Sequence, residues 1–110
     1  SRRDGRAMRA FLVSDNHDTQ VEMRLAGIQG SVVHGPEETL RAMQEALQMP
    51  DLGILVVTEK AAALIPDLMQ KLRERGELPL VVEIPDRHGT QRGPDFLTRY
   101  VRDAIGVKME

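Results

Sequence analysis

Short apolar runs alternate with segments of helical periodicity along the chain. The apolar runs lie at residues 8–14, 31–33, 53–58 and 80–84, and each has a length compatible with a β-strand. Between them, apolar side chains recur at spacings of three and four residues, which predicts helices. The run at 53–58 is almost continuously apolar, as is typical of a central parallel strand that is covered on both faces.

Three helices are predicted between these strands. We expect Thr19 to cap the first helix, which glycines at 27 and 30 would end. The second spans about 36–49, and the third spans 59–75, with a kink or a short turn at Pro66 and an end at Gly76. The side chains expected to face the sheet are Val21, Leu25, Ile28, Leu40, Met43, Leu47, Ala61, Leu64, Ile65, Leu68, Met69 and Leu72.

A polar segment and a further helix follow the fourth strand. Residues 85–94 have no apolar side chain other than proline and are predicted to form a loop. From Asp95 onwards the apolar side chains lie on one helical face. This stripe consists of Leu97, Tyr100, Val101, Ala104 and Ile105. It predicts a helix that packs either on its own domain or on a partner.

The order of elements predicts an α/β fold. Strands that are separated by helices of this length run parallel, with right-handed crossovers. We therefore expect a small Rossmann-like or receiver-like, four-stranded parallel sheet flanked by helices, with a C-terminal helix after a polar loop. The predicted organisation is a disordered leader or cloning remnant at 1–7, an α/β core at 8–84, and the loop with its helix at 85–110.

Composition excludes several classes of function. The 110 residues are enough for one domain, and the longest apolar stretches are four or five residues against the roughly twenty of a membrane span. A net charge of −2 and three aromatic residues, Phe11, Phe96 and Tyr100, argue against nucleic-acid binding. The chain has no cysteine, which excludes disulfides and thiolate zinc sites and is compatible with a reducing cytoplasm.

The carboxyl ends of the strands, where such folds bind ligands, carry no recognisable catalytic set. The turn at 14–19 contains no glycine, so it does not fit a dinucleotide site. Asp15, His17 and Asp18 are interpreted as a helix-capping and turn cluster, not as metal ligands. We expect no catalytic, metal-binding or cofactor-binding residue.

A receiver-like signalling or ligand-binding module is the alternative. Asp15 stands where receiver domains have acidic residues after the first strand. Those domains also need an aspartate after the third strand, and this chain has Thr58 and Glu59 there. The magnesium-binding set of a receiver is therefore incomplete.

Five segments together resemble one family, the F subunits of V-type (A/V-type) ATPases. They are SDNHDT at 14–19, RLAGI at 24–28, ILVVTEK at 54–60, LVVEIPDRHG at 80–89 and YVRDAIGV at 100–107. Their order is the same as in the family, and they extend over nearly the whole chain after residue 7. The arginine-rich leader is the main departure from the family pattern.

The resemblance implies a central-stalk rotor protein without catalytic activity of its own. Such a protein binds the coiled-coil shaft, which is the D subunit of the V-type ATPase, and through it the catalytic hexamer of the soluble sector. It is cytoplasmic and peripheral to the membrane, and its C-terminal segment can change position. We expect partner contacts in the last segment of the chain. The candidate residues are Phe96, Leu97, Tyr100, Val101, Ile105, Arg87 and His88.

Overall fold

Four parallel strands form a single sheet in the computed structural model, which describes residues 8–85. The strands are β1 (Arg9–Ser14), β2 (Gln29–Val32), β3 (Leu52–Thr58) and β4 (Leu80–Ile84). Their order across the sheet is β2-β1-β3-β4, and each neighbouring pair runs parallel. The predicted α/β fold is confirmed, whereas the proposed leader and C-terminal helix lie outside the described residues.

The helices between the strands are α1 (His17–Leu25), α2 (Gly35–Leu47), α3 (Glu59–Ala63) and α4 (Pro66–Arg75). The predicted interruption at Pro66 is confirmed, because Ile65 leaves the helical conformation and Pro66 opens α4. Gly76 ends α4 in the left-handed conformation, with φ of 71°. Among residues 8–85, no helix combines the length and the apolar character needed to span a membrane.

Each face of the sheet has its own apolar layer. On one face α1 covers a smaller cluster of Leu12, Met23, Val56, Val82 and Ile84. On the other face α2, α3 and α4 cover a larger cluster. Its buried members are Val13, Val33, Met43, Ala46, Leu52, Leu55, Val57, Ala61, Ala62, Ile65, Met69 and Leu72. Strand β3 contributes alternate side chains to both layers, as its continuous apolar sequence predicted.

The prediction for the inward side of α1 is wrong at Val21 and Leu25, whereas Ile28, just after the helix, packs against the smaller layer as expected. Val21 and Leu25 are 37% and 73% exposed, whereas Met23 is fully buried. Helix α1 begins at His17 with Asn16 as its N-cap, so Thr19 is not the cap but a buried residue in the first turn. The face that Thr19 and Met23 share, four residues apart, turns toward the sheet.

The predicted stripe of α2 is right at Met43 and wrong at Leu40. Met43 is fully buried, but Leu40 is 38% exposed, and Thr39 and Ala46 are buried instead. Thr39 can be buried because its hydroxyl donates a hydrogen bond to the carbonyl oxygen of Gly35 at 2.7 Å. Leu64, at the end of α3, is likewise 38% exposed, so its prediction as an inward-facing side chain is wrong.

Strand β2 begins two residues earlier than the sequence pattern predicted. Gly30 lies inside the strand and does not act as a breaker. A Cβ atom at this position would lie 2.6 Å from the Cβ of Leu12 and 2.7 Å from its carbonyl oxygen. Glycine is therefore required for the close approach of β2 to β1.

We expect Met23→Ala to destabilise the protein by about 2–5 kcal/mol, because it leaves a cavity in the layer beneath α1. Leu25→Ala, two residues away in the same helix, should cost less than about 0.5 kcal/mol because Leu25 is mostly exposed. Urea unfolding followed by circular dichroism measures both. Equal losses for the two variants would contradict the observed orientation of α1.

Candidate functional site

The carboxyl end of β1 is hydrogen-bonded to the carboxyl end of β3. The hydroxyl of Thr58 donates to Oδ1 of Asp15 at 2.7 Å and accepts from the backbone N–H of Asp15 at 3.2 Å. Thr58 is fully buried and Asp15 is half-buried. Because its hydroxyl is engaged in this way, Thr58 makes no side-chain cap to the following helix α3. We call this pair the Asp15–Thr58 link.

The turn after β1 is also closed by its own side chains. The buried hydroxyl of Ser14 accepts the N–H of Asn16 and donates to the carbonyl oxygen of Asn16, both at 2.8 Å. The side-chain oxygen of Asn16 accepts the N–H of Thr19 at 3.0 Å and caps α1. The segment caps α1, as predicted, but the capping side chain is Asn16, and the carboxylate of Asp15 bonds to Thr58 instead.

The carboxyl edge differs from the phosphoacceptor site of a receiver domain. In a receiver domain the position after the third strand would hold the phosphoacceptor, but here it holds a buried threonine that is bonded to Asp15. Within residues 8–85, no three His, Asp or Glu side chains are placed to hold a metal ion together. The edge is organised to join β1 to β3.

The start of α2 completes this edge of the sheet. Gly35 has φ of 82°, a left-handed conformation that favours glycine, and Pro36 occupies the first turn of the helix. The carboxylate of Glu38 accepts the backbone N–H of His34, the N-cap of α2, at 2.7 Å. The imidazole of His34 makes no capping hydrogen bond and is exposed.

A groove of about 370 Å³ runs between α3, α4 and the edge strand β4. Its lining residues are Glu59, Ala62, Ala63, Pro66, Met69, Gln70, Arg73 and Glu83. The guanidinium of Arg73 donates to the carboxylate of Glu83 at one end of the groove. This surface was not predicted from the sequence, since Arg73 and Glu83 belong to different elements. We call it the α3–β4 groove.

A second hollow, of about 510 Å³, lies at the opposite, amino-terminal edge of the sheet. It is lined by residues that precede or begin β1 and β2, including Arg9, Phe11 and Gln29. The backbone N–H of Arg9 donates to the carbonyl oxygen of Asp51 at 2.7 Å and joins the start of β1 to the start of β3. This hollow lies away from the strand ends where α/β sheets bind ligands.

The partner-contact residues predicted from the sequence all lie outside the described residues. These residues are Arg87, His88, Phe96, Leu97, Tyr100, Val101 and Ile105. Their role remains a prediction. The described residues end at Pro85, directly after β4.

Comparisons with known proteins agree on one family. The model of the family described as "ATP synthase (F/14-kDa) subunit" matches residues 11–101. The F subunit of the A-type ATP synthase of Pyrococcus furiosus is 32% identical over 105 residues, covering 91% of this chain and 97% of the relative. The corresponding protein of Methanocaldococcus jannaschii is 31% identical over 104 residues, which cover 94% of this chain and 100% of the relative.

A solved structure shares the fold. The crystal structure of the V-type ATP synthase F subunit of Archaeoglobus fulgidus superposes with a TM-score of 0.61 at 20% identity. The superposition covers 72% of this chain and 99% of the solved chain. The solved chain is therefore about as long as the four-stranded unit described here.

We expect Thr58→Val to destabilise the protein by about 1–3 kcal/mol, because it leaves the carboxylate and the N–H of Asp15 without their partner. A double-mutant cycle with Asp15→Ala, measured by urea unfolding, should give a coupling energy above about 0.5 kcal/mol. Thr58→Ser, which keeps the hydroxyl, is the matched control and should lose less stability than Thr58→Val. Additive effects of Thr58→Val and Asp15→Ala would contradict the Asp15–Thr58 link.

Proposed function

We propose, because the chain belongs to the family of A/V-type ATP synthase F subunits, that it acts as a rotor component of the central stalk. In this role it binds the coiled-coil shaft, the D subunit, and rotates with it inside the catalytic hexamer. Rotation of the pair couples ATP turnover to ion transport. The chain itself catalyses no step of that reaction and binds no cofactor.

The observation that carries this proposal, besides family membership, is the Asp15–Thr58 link. An α/β enzyme or receiver domain needs free polar groups at the carboxyl edge of the sheet to hold a ligand. Here the side chains of Ser14, Asp15, Asn16 and Thr58 bond to one another or to the neighbouring backbone. This arrangement supports a structural role for the edge and favours a binding protein over an enzyme.

A rotor component must transmit torque without deforming. Close-packed interiors have low compressibility and transmit strain. The domain meets this requirement with apolar layers on both faces of the sheet and with hydrogen bonds between strand ends. These features support a stiff body that follows the shaft.

We place the main shaft contact in the last segment of the chain. The apolar stripe of residues 97–105 has the spacing with which an amphipathic helix enters the groove of a partner. Phe96 and Tyr100 are the proposed anchors, since buried aromatic side chains often dominate interface energies. The polar segment 85–94, with Arg87 and His88, would let this helix move between its own domain and the shaft.

The proposed location is cytoplasmic, on the soluble sector of the complex and peripheral to the membrane. In this arrangement the chain contacts the shaft and not the bilayer. Its net charge of −2 and its mixed surface charges suit a protein partner more than a nucleic acid.

We expect truncation after Gly93 to leave a folded sheet domain and to weaken binding of the D subunit by at least about tenfold. The length of the solved relative supports independent folding of the four-stranded unit. Isothermal titration of the full and truncated chains with the shaft protein from the same source measures the effect, and thermal unfolding checks the fold.

Two point variants of the full chain refine this test. Tyr100→Ala lies on the predicted stripe and should weaken binding, whereas Arg99→Ala lies on the opposite helical face and should not. Unchanged affinity of the truncated chain would exclude the last helix as the shaft contact. Failure of the full chain to bind the shaft protein would refute the proposed function.

A further inference from the structure

Strand β2 is an edge strand, and its outer edge is unpaired among residues 8–85. The backbone N–H of Val33 donates to the carbonyl oxygen of Ser14 in β1 at 2.8 Å. Because backbone groups alternate between the two sides of a strand, Ser31 also faces β1, whereas the N–H and C=O groups of Gly30 and Val32 face outward. This edge therefore has backbone groups that can pair with a further strand.

The side chains of β2 give little protection against such pairing. Natural edge strands commonly carry charged side chains, proline or a bulge, each of which opposes the addition of a strand. The sequence of β2, QGSV at 29–32, has neither a charge nor a proline, and its register with β1 is regular. The other edge strand, β4, differs because it carries Glu83, which pairs with Arg73. A group that protects the β2 edge has to come from another element.

Helix α1 supplies such a group through Gln20. The side-chain amide of Gln20 donates to the outward carbonyl oxygen of Gly30 at 3.2 Å. The guanidinium of Arg24, one turn later in α1, donates to the side-chain oxygen of Gln20 at 3.3 Å. Gln20 is half-buried and Arg24 is exposed. The amide of Gln20 thus occupies an acceptor that an added strand would use, and Arg24 holds this amide in place.

We propose that Gln20 blocks the outer edge of β2 from pairing with the β2 strand of a second copy of this chain, and that Arg24 is a positioning residue for Gln20. A second copy fits this edge because two uncharged strands meet without like-charge repulsion, and a twofold axis closes the pair. Val21 and Leu25 are exposed on the same helix and add apolar surface to such a contact. The inference concerns the folded sheet domain and does not depend on the proposed function.

Gln20→Ala tests the role of this side chain directly, because it removes the amide and retains high helix propensity. Sedimentation velocity of the full chain over a series of concentrations measures self-association. Gln20→Ala should strengthen self-association by about threefold to tenfold, the equivalent of one neutral hydrogen bond, and Arg24→Ala should act in the same direction but less strongly. Gln70→Ala is the matched control, since the amide of Gln70 also bonds one turn along its own helix, to Glu74 at 2.9 Å. This control should leave self-association unchanged.

A second substitution distinguishes an unblocked edge from a loss of stability. Gln29→Lys places a charge on the exposed first residue of β2, so two copies repel each other when these edges pair. Combined with Gln20→Ala, it should return self-association to that of the unmodified chain. In NMR spectra of Gln20→Ala, concentration-dependent amide shifts should appear at Gly30 and Val32.

Self-association of Gln20→Ala equal to that of the unmodified chain would overturn the proposal. An increase that persists when Gln29→Lys is added, or amide shifts confined to other elements such as β4, would do the same. Circular dichroism shows whether each variant is folded. If Gln20→Ala does not fold, Gln20→Met, which keeps the length of the side chain but lacks the donor, is measured in its place.

Discussion

Burial of strand β3 on both faces is the constraint that organises the domain. Leu55, Val56 and Val57 are all fully buried, and alternate residues belong to opposite apolar layers. Full burial of such a side chain contributes about 1.5–3 kcal/mol. Because β1 and β4 both pair with β3 in parallel, its register also positions both of its neighbours. The register of β3 therefore sets where β1 and β4 end at the carboxyl edge of the sheet.

The sequence was sufficient to predict the number and order of the strands and the breaks at Pro66 and Gly76, but not the start of β2 or the place of Gly30 inside it. Continuous apolar runs have few alternatives to buried strands, and Pro66 and Gly76 act through their own backbone restrictions. The inward faces of the helices were less predictable, as Leu25 and Leu40 show. Each is apolar and correctly spaced, yet Met23 and Thr39 are buried in their helices instead. Helix α1 begins three residues earlier than predicted, and the face that carries Thr19 and Met23 packs on the sheet in place of the face that carries Val21 and Leu25.

The Asp15–Thr58 link could not be predicted from spacing along the chain, because 43 residues separate its members. Strand order brings them together, since β1 and β3 are neighbours in the sheet. The same holds for the α3–β4 groove, which α3, α4 and β4 form jointly. The apolar stripe after residue 95, in contrast, can be recognised from the sequence alone. Its helical period is clear in the sequence, but the surface it packs on depends on tertiary contacts.

The domain has apolar layers on both faces of its sheet and hydrogen bonds between the ends of β1 and β3. The function proposed for it lies in binding a shaft. Native mass spectrometry of the complex that the tagged full-length chain retrieves from its own source measures this binding without any assumption about the contact surface. We expect a stable one-to-one complex with the D subunit. Recovery of the chain by itself, or with proteins other than the shaft, would contradict the proposed role.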